Sequence, residues 1–275
     1  MPKRLTESQV EQYQRDGFVA PIDVMSAAQA DDFRKRLEVL ERQHPEHLSA
    51  TNRNNLHLLF DCFDEIVHHE AILDAVEDVL GGDILLWGSV LFAKEPDKKS
   101  FVSWHQDLRY VTLDPPDGVT AWLALTPSNA ETGCMRMIPG SHLSEMQHHE
   151  DEFGEDNILT RGQTIHSVDE KLAVDLILEP GQLSLHHGRT IHCSAPNRSD
   201  QRRLGLAIQQ YIPPHVREPG RGFAQLARGV DRIGHFELIP RLSDEFSEDA
   251  QARFANVNAH WAEMLYAGAT EKRAY

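Results

Sequence analysis

At Asp83 the chain changes texture, and this bounds its possible folds more than any other feature. Before that point apolar residues recur at helical spacing. Beyond it come ILLWGSVLFAK, VTAWLAL, CMRMI, VDLIL, QLSLHH and RLGLAIQQYI, short runs rich in Val, Ile, Leu, Thr and aromatics. Runs of this kind, broken by Pro and Gly, read as strands. Turn chemistry separates them in IPGSH (138–142) and LEPGQ (178–182).

The first eighty residues read as helical. Thr6-Glu-Ser-Gln9 and Ser26-Ala-Ala-Gln29 are capping-box patterns, and the second opens a segment whose Ala30, Phe33, Leu37 and Leu40 share one face. Residues 66–80 repeat the theme with Ile72, Val76 and Leu80 and stop at Gly81-Gly82. A last helix is predicted over 246–266, where Ala250, Phe254, Val257, Trp261 and Leu265 keep helical spacing. Helices first and antiparallel strands after them predict one α+β domain over residues 1–275, mainly β in its core, as a β-sandwich or jelly roll.

Charge narrows the partners. With 27 Lys+Arg against 43 Asp+Glu, a net charge of −16 opposes nucleic acid and anionic membrane surfaces, leaving a small-molecule substrate as the expected partner. Three cysteines, Cys62, Cys134 and Cys193, give no disulfide framework and fit a reducing compartment. The opening MPKRLTESQVEQYQRDG lacks the apolar core of a signal peptide, and no run reaches the ~20 apolar residues of a membrane span, so a cytoplasmic protein is expected.

The strand-rich part carries the chemistry. Ser103 to Tyr110 reads SWHQDLRY, placing His105 and Asp107 one residue apart; alone, that is a polar turn as readily as a ligand pair. A third ligand is available in LSLHHGRTIHCSAPNRSDQRRLGL (183–206), where His186, His187 or His192 could complete a two-histidine, one-carboxylate facial triad for non-haem Fe(II). If the turn-forming Ala195–Asp200 stretch reverses the chain about Asn197-Arg198, residue 192 faces residue 203 on the next strand. That selects His192 and brings Arg203, a planar fork suited to gripping a carboxylate, beside the metal. Two imidazoles and a carboxylate, without cysteine, favour iron over a structural zinc site.

Other histidines take ordinary readings. His186 and His187 are expected to supply one satisfied core histidine and one partner of a ligand. His148-His149-Glu150 and His68-His69-Glu70 read as solvated surface, and Cys193 as a small buried residue on the opposite strand face. The polar stretch 144–170 is a candidate lid.

His105-Gln-Asp107, the distant His192 and Arg203 eleven residues further on resemble the signature of the phytanoyl-CoA dioxygenase family of Fe(II)/2-oxoglutarate oxygenases. VTAWLALTPSNAETGCMRMIPGSH (119–142) and the opening LTESQVEQYQRDGFV extend the likeness over most of the chain. The resemblance implies a double-stranded β-helix (jelly roll) with flanking N- and C-terminal helices and Fe(II) held by His105, Asp107 and His192. It also implies 2-oxoglutarate and O2 as cosubstrates, with Arg203 and Ser194 on the distal carboxylate of the keto acid and no catalytic group beyond the metal ligands. Related halogenases carry a small residue in place of the carboxylate, so Asp107 implies a hydroxylase and not a halogenase.

DNILTRGQ (156–163), SLHHGRTIH (184–192) and RGVDRIGHFE (228–237) are similar to a branch of small bacterial hydroxylases that includes oxygenases of 2-aminoethylphosphonate and its N-methylated relatives. For such a substrate the phosphonate would seek Lys94, Arg109, Arg136 or Arg161, and the ammonium Asp61, Trp87 or Tyr110. Alternatives are another small amino acid, a compatible solute or a secondary metabolite and, from a different class, a non-redox metal-binding jelly roll that only binds its ligand.

Overall fold

The computed structural model describes residues 2–48, 53–109 and 111–272. In chain order the elements are α1 (Glu7–Asp16), β1 (Phe18–Asp23), α2 (Ala27–Gln43), α3 (Pro45–Leu48), α4 (Asp61–Val67), α5 (Glu70–Leu80), β2 (Ile84–Leu86) and β3 (Val90–Lys94). Next come β4 (Val102–His105), β5 (Val119–Ala124), β6 (Met135–Met137), β7 (Val174–Leu176), β8 (Gln182–His187) and β9 (His192–Ser194). The chain ends with β10 (Arg203–Ile212), β11 (Phe223–Arg228), β12 (Glu237–Leu238) and α6 (Glu248–Leu265).

Both capping boxes form: Thr6 and Ser26 accept the backbone N–H of Gln9 and Gln29, starting α1 and α2 where the sequence places them. Two expectations for this region need correction. The helical stretch is interrupted by β1, an edge strand on β8 that tolerates Pro21 because an edge has ladder positions without a partner. The segment expected as one helix over 66–80 divides at His68-His69 into α4 and α5.

Strands assemble into two sheets. The larger has eight strands in the order β1-β8-β5-β10-β2-β11-β12, with β3 also paired to β10; the smaller runs β4-β9-β6-β7. Leu183, Leu185, Leu204, Leu206 and Ile208 point from the large sheet into the main core with the helices, together with Phe33, Ile72, Phe254 and Trp261. On the other face Trp122 and Ala207 meet Met135, Met137 and Leu176 of the small sheet. Burial on both faces explains why β5 and β10 read as near-continuous apolar runs instead of alternating ones. Two sheets face to face, antiparallel but for the β11–β12 pair, with helices outside, form the expected jelly roll. Among the described residues no helix is long and apolar enough to cross a membrane.

Candidate metal and cosubstrate site

β4 ends on His105, β9 begins on His192, and the two residues are direct partners across the antiparallel pair. Asp107 follows on a short 3-10 turn, its Oδ1 3.4 Å from His105 Nε2 and 3.6 Å from His192 Nε2. One potential ligand atom from each of the three lies within 4.8 Å of the others. The hairpin argument holds in part: β9 and β10 belong to different sheets, yet His192 and Arg203 line one cavity.

Hydrogen bonding fixes which atoms face inward. His105 Nδ1 lies 2.9 Å from the Ser103 carbonyl and His192 Nδ1 2.9 Å from the Thr190 carbonyl; each must donate there, leaving the Nε2 lone pairs turned towards Asp107. Asp107 Oδ2 accepts from Thr120 Oγ1 (2.8 Å) and His186 Nε2 (3.2 Å), so Oδ1 remains for the centre. Thr120 is steadied in turn by Gln210 Nε2 at 3.0 Å, which a strand irregularity between Ile208 and Tyr211, with Gln210 at φ 61°, aims at it. His186 is thus the partner of a ligand, as expected.

Two imidazole lone pairs and a carboxylate oxygen converging in a buried place are all acceptors, with no proton among them to share. Such a set calls for a cation, and its nitrogen and oxygen donors suit Fe(II). Burial pushes the Asp107 carboxyl up, but the surrounding histidines outweigh it and hold it well below the usual carboxylate range. Burial and the neighbouring His105 ring push His192 down to about 3, which keeps it neutral and ready to ligate.

Beside this centre lie two buried basic side chains, both cationic when an anion sits against them. Arg203 opens β10 opposite Lys94 on β3; its Nη1 donates to the Gly133 carbonyl at 2.6 Å, its guanidinium lies 4.6 Å from the Trp122 ring centre, and its Nε has no protein partner. Gly205 makes that stack possible, since a Cβ there would fall 1.9 Å from the Trp122 ring. Lys94 Nζ donates to Ser194 O (3.0 Å), Ser194 Oγ (2.5 Å) and Ala195 O (2.5 Å). Burial and the adjacent Arg203 push Lys94 down to about 6, and burial pushes Arg203 down to about 10. Neither has a carboxylate partner among the described residues, an arrangement that suits a buried anion.

All of these groups line one cavity of about 740 Å³. Its outer wall is formed by residues 153–163 and by Trp261, Leu265 and Tyr266 at the end of α6. Part of the stretch expected as a lid forms this wall, fastened by Arg161 to Asp151 and to the carbonyls of Leu265 and Ala267.

The expected substrate contacts fare differently. Arg109 and Asp61 are exposed and do not line the cavity: Arg109 closes the turn after Asp107, and Asp61 begins α4, where its N–H donates to Glu245. Tyr110 lies outside the described residues. Arg136 sits at the surface between Glu170 and Asp175, while Trp87 lines the cavity and donates to Glu218. Lys94 grips Ser194 beside Arg203, a pairing sequence reasoning missed because a lysine is seldom fully buried. His148 is exposed as expected, but His149 is buried, with Nε2 3.0 Å from the N–H of Gln106.

Comparison with known proteins agrees with this geometry. The family model for phytanoyl-CoA dioxygenase (PhyH) matches residues 13–205. A probable alpha-ketoglutarate-dependent hypophosphite dioxygenase of Stutzerimonas stutzeri is 34% identical over 171 residues, covering 61% of this chain and 59% of that protein. Human peroxisomal phytanoyl-CoA dioxygenase is 25% identical over 227 residues, 74% of this chain and 67% of its own. The solved apo structure of the non-heme monooxygenase ThoJ superposes with a TM-score of 0.83 at 33% identity, covering 94% of this chain and 97% of its own. With a match over this much of its length, the chain belongs to the phytanoyl-CoA dioxygenase family, whose enzymes are 2-oxoglutarate-dependent non-haem iron oxygenases.

Proposed function

We propose that the protein hydroxylates an aliphatic C–H bond of a small molecule, with Fe(II) held by His105, Asp107 and His192. The observation carrying this reading is the convergence of three acceptors beside two buried basic side chains, Arg203 and Lys94, in one cavity. The chemistry supplied by iron with 2-oxoglutarate and O2 is oxidative decarboxylation to succinate and CO2, with one oxygen atom delivered to the substrate carbon. Arg203 grips the distal carboxylate of the keto acid, and Ser194 Oγ, positioned by Lys94, turns towards the same group. Thr120 and His186 fix Asp107 so that one oxygen alone faces inward, and Asp107 fills the position a halogenase would leave for chloride.

The best candidate substrate is 2-aminoethylphosphonate or its N-methylated (trimethylammonio) relative. The likeness to a protein named as a hypophosphite dioxygenase supports a phosphorus oxyanion. Arg53 is the cavity cation placed for it: half-buried, its guanidinium donates to the Leu48 and Ala93 carbonyls, both at 3.4 Å. Trp87, Trp261 and Tyr266 offer aromatic surface to an ammonium group. A second reading, a larger amino acid or secondary metabolite, is favoured by the volume of about 740 Å³ and the mixed polar and aromatic outer wall.

Anaerobic addition of Fe(II) and 2-oxoglutarate is the first test: the weak visible absorption of a chelated keto acid is expected, and its absence would sink the oxygenase reading in favour of a non-redox binder. Screening aminoalkylphosphonates, amino acids and compatible solutes for stimulated succinate release then separates the substrates. No response to any phosphonate, with a response to another class, would reject the first choice and leave the reaction class standing.

A further inference from the structure

We propose that His149 is a positioning residue, a strut that ties the outer wall of the cavity to the metal-binding turn, so that seating of the wall and alignment of the ligands change together. This rests on the oxygenase reading above. The residue between the two ligands of the turn, Gln106, is fully buried, so its backbone N–H needs an internal acceptor. His149 Nε2 provides it at 3.0 Å, while His149 Nδ1 lies 2.9 Å from the Gln147 carbonyl and must donate there. An imidazole can accept from one backbone group and donate to another at once.

The side chain of Gln106 completes a lattice. Its Oε1 accepts the N–H of Gln147 at 2.8 Å, and its Nε2 donates at 2.7 Å to the carbonyl of Arg189, three residues before His192. Three hydrogen bonds thus join the stretches 105–107, 147–149 and 189–192, and a fourth, from His149 Nδ1 to the Gln147 carbonyl, braces the middle one.

From His149 the chain runs directly into the cavity wall. Glu150 and Thr164 exchange backbone hydrogen bonds of 3.0 and 2.9 Å at the neck of that loop. The loop returns to the other side of His105, where Ile165 N donates to Trp104 O at 2.7 Å and Ser103 Oγ donates to Gln163 O at 2.6 Å. The wall therefore hangs from two roots that flank the ligand pair, and His149 is one of them. A substrate pressing on residues 153–163 is connected through this frame to the turn that carries His105 and Asp107.

The test is amide hydrogen exchange of residues 147–165 in the full chain, with and without anaerobic Fe(II) plus 2-oxoglutarate. Wild type is expected to gain protection across this stretch on loading, and H149F to lose that gain while still binding 2-oxoglutarate through Arg203. Substrate-free conversion of 2-oxoglutarate to succinate should rise in H149F, and H149Q, which can accept and donate, should restore both readouts. Should H149F fail to fold, H149N, too short to span both backbone groups, is measured in its place with the same expected loss. Unchanged exchange in wild type on loading, or equal gain in the His149 variants, overturns the strut and leaves the oxygenase reading intact. Absence of the visible band in wild type overturns both.

Discussion

The inner and outer halves of the cavity are built on different terms. The inner half is carried by β3, β4, β5, β8, β9 and β10, and each of its three metal-ligand candidates is held by a named partner, as Asp107 is by Thr120 and His186. The outer half comes from residues 153–163 and the end of α6, a loop that mixes apolar with polar side chains and a helix end that adds aromatic surface. The family match stops at residue 205, so α6 and Gln209 lie beyond it. The contrast places the candidate metal ligands on paired strands and leaves the rest of the cavity to a loop and a helix end, the kind of elements that can change without disturbing a scaffold.

The most direct way to break this comparison is at the centre. Asp107→Ala should reduce 2-oxoglutarate turnover by more than the ~10–100-fold typical of losing an outer partner of a metal ligand, as measured by succinate release. Turnover near wild type would mean the inner half is not a metal site. Next comes Arg203→Leu, which removes one side of a buried charge pair with the keto acid. At ~2 kcal/mol or more, the KM for 2-oxoglutarate should rise about 30-fold, and Arg203→Lys should fall between that variant and wild type.

Lys94 gives a pH signature. Burial and Arg203 hold it at about 6 in the folded protein, against 10.5 ordinarily, so between those values the unfolded chain binds more protons than the folded one. Stability contributed by this site is therefore complete above the unfolded pKa, rises with pH across that window and is lost as pH falls through about 6. Relative to Lys94→Met, wild type should gain up to ~1.4 kcal/mol per pH unit there, read by urea unfolding at pH 7 and 8. Parallel pH profiles for the two proteins would contradict it.

Thr120→Val should weaken Fe(II) binding ~10-fold, the lower end for an outer partner, in competition with a chelator. The smallest effect belongs to the outer wall. Leu265→Ala should leave the KM for 2-oxoglutarate unchanged and shift that of the primary substrate by at most ~10-fold. If the cosubstrate KM moved instead, the division into two halves would fail.

Legibility in the sequence followed the same division. The convergence of His105, Asp107 and His192 could be anticipated because strand ends leave a short spacing and a turn signal; Arg203 was reached through a hairpin that does not form, since β9 and β10 lie in different sheets, although both residues line one cavity. Lys94 was named only as a phosphonate donor and His149 only as solvated surface; their contacts here could not be found, because each is buried for reasons residing in distant partners, Ser194 in one case and Gln106 in the other. Asp61 and Arg109 were chosen for their charge alone, and both face solvent. β1 escaped notice because six residues with a proline inside look like a helix-to-helix connection until β8 is there to pair with.

β10 carries a double duty with a practical consequence. Leu204, Leu206 and Ile208 anchor the main core, while Arg203, Ala207 and Gln209, interleaved with them, floor the reaction chamber. A change made on either side of this beam is felt on the other within one residue, so the strand has almost no latitude to drift. Directed evolution towards new substrates should therefore recover its beneficial changes along the loop and the terminal helix, and almost none between 203 and 208.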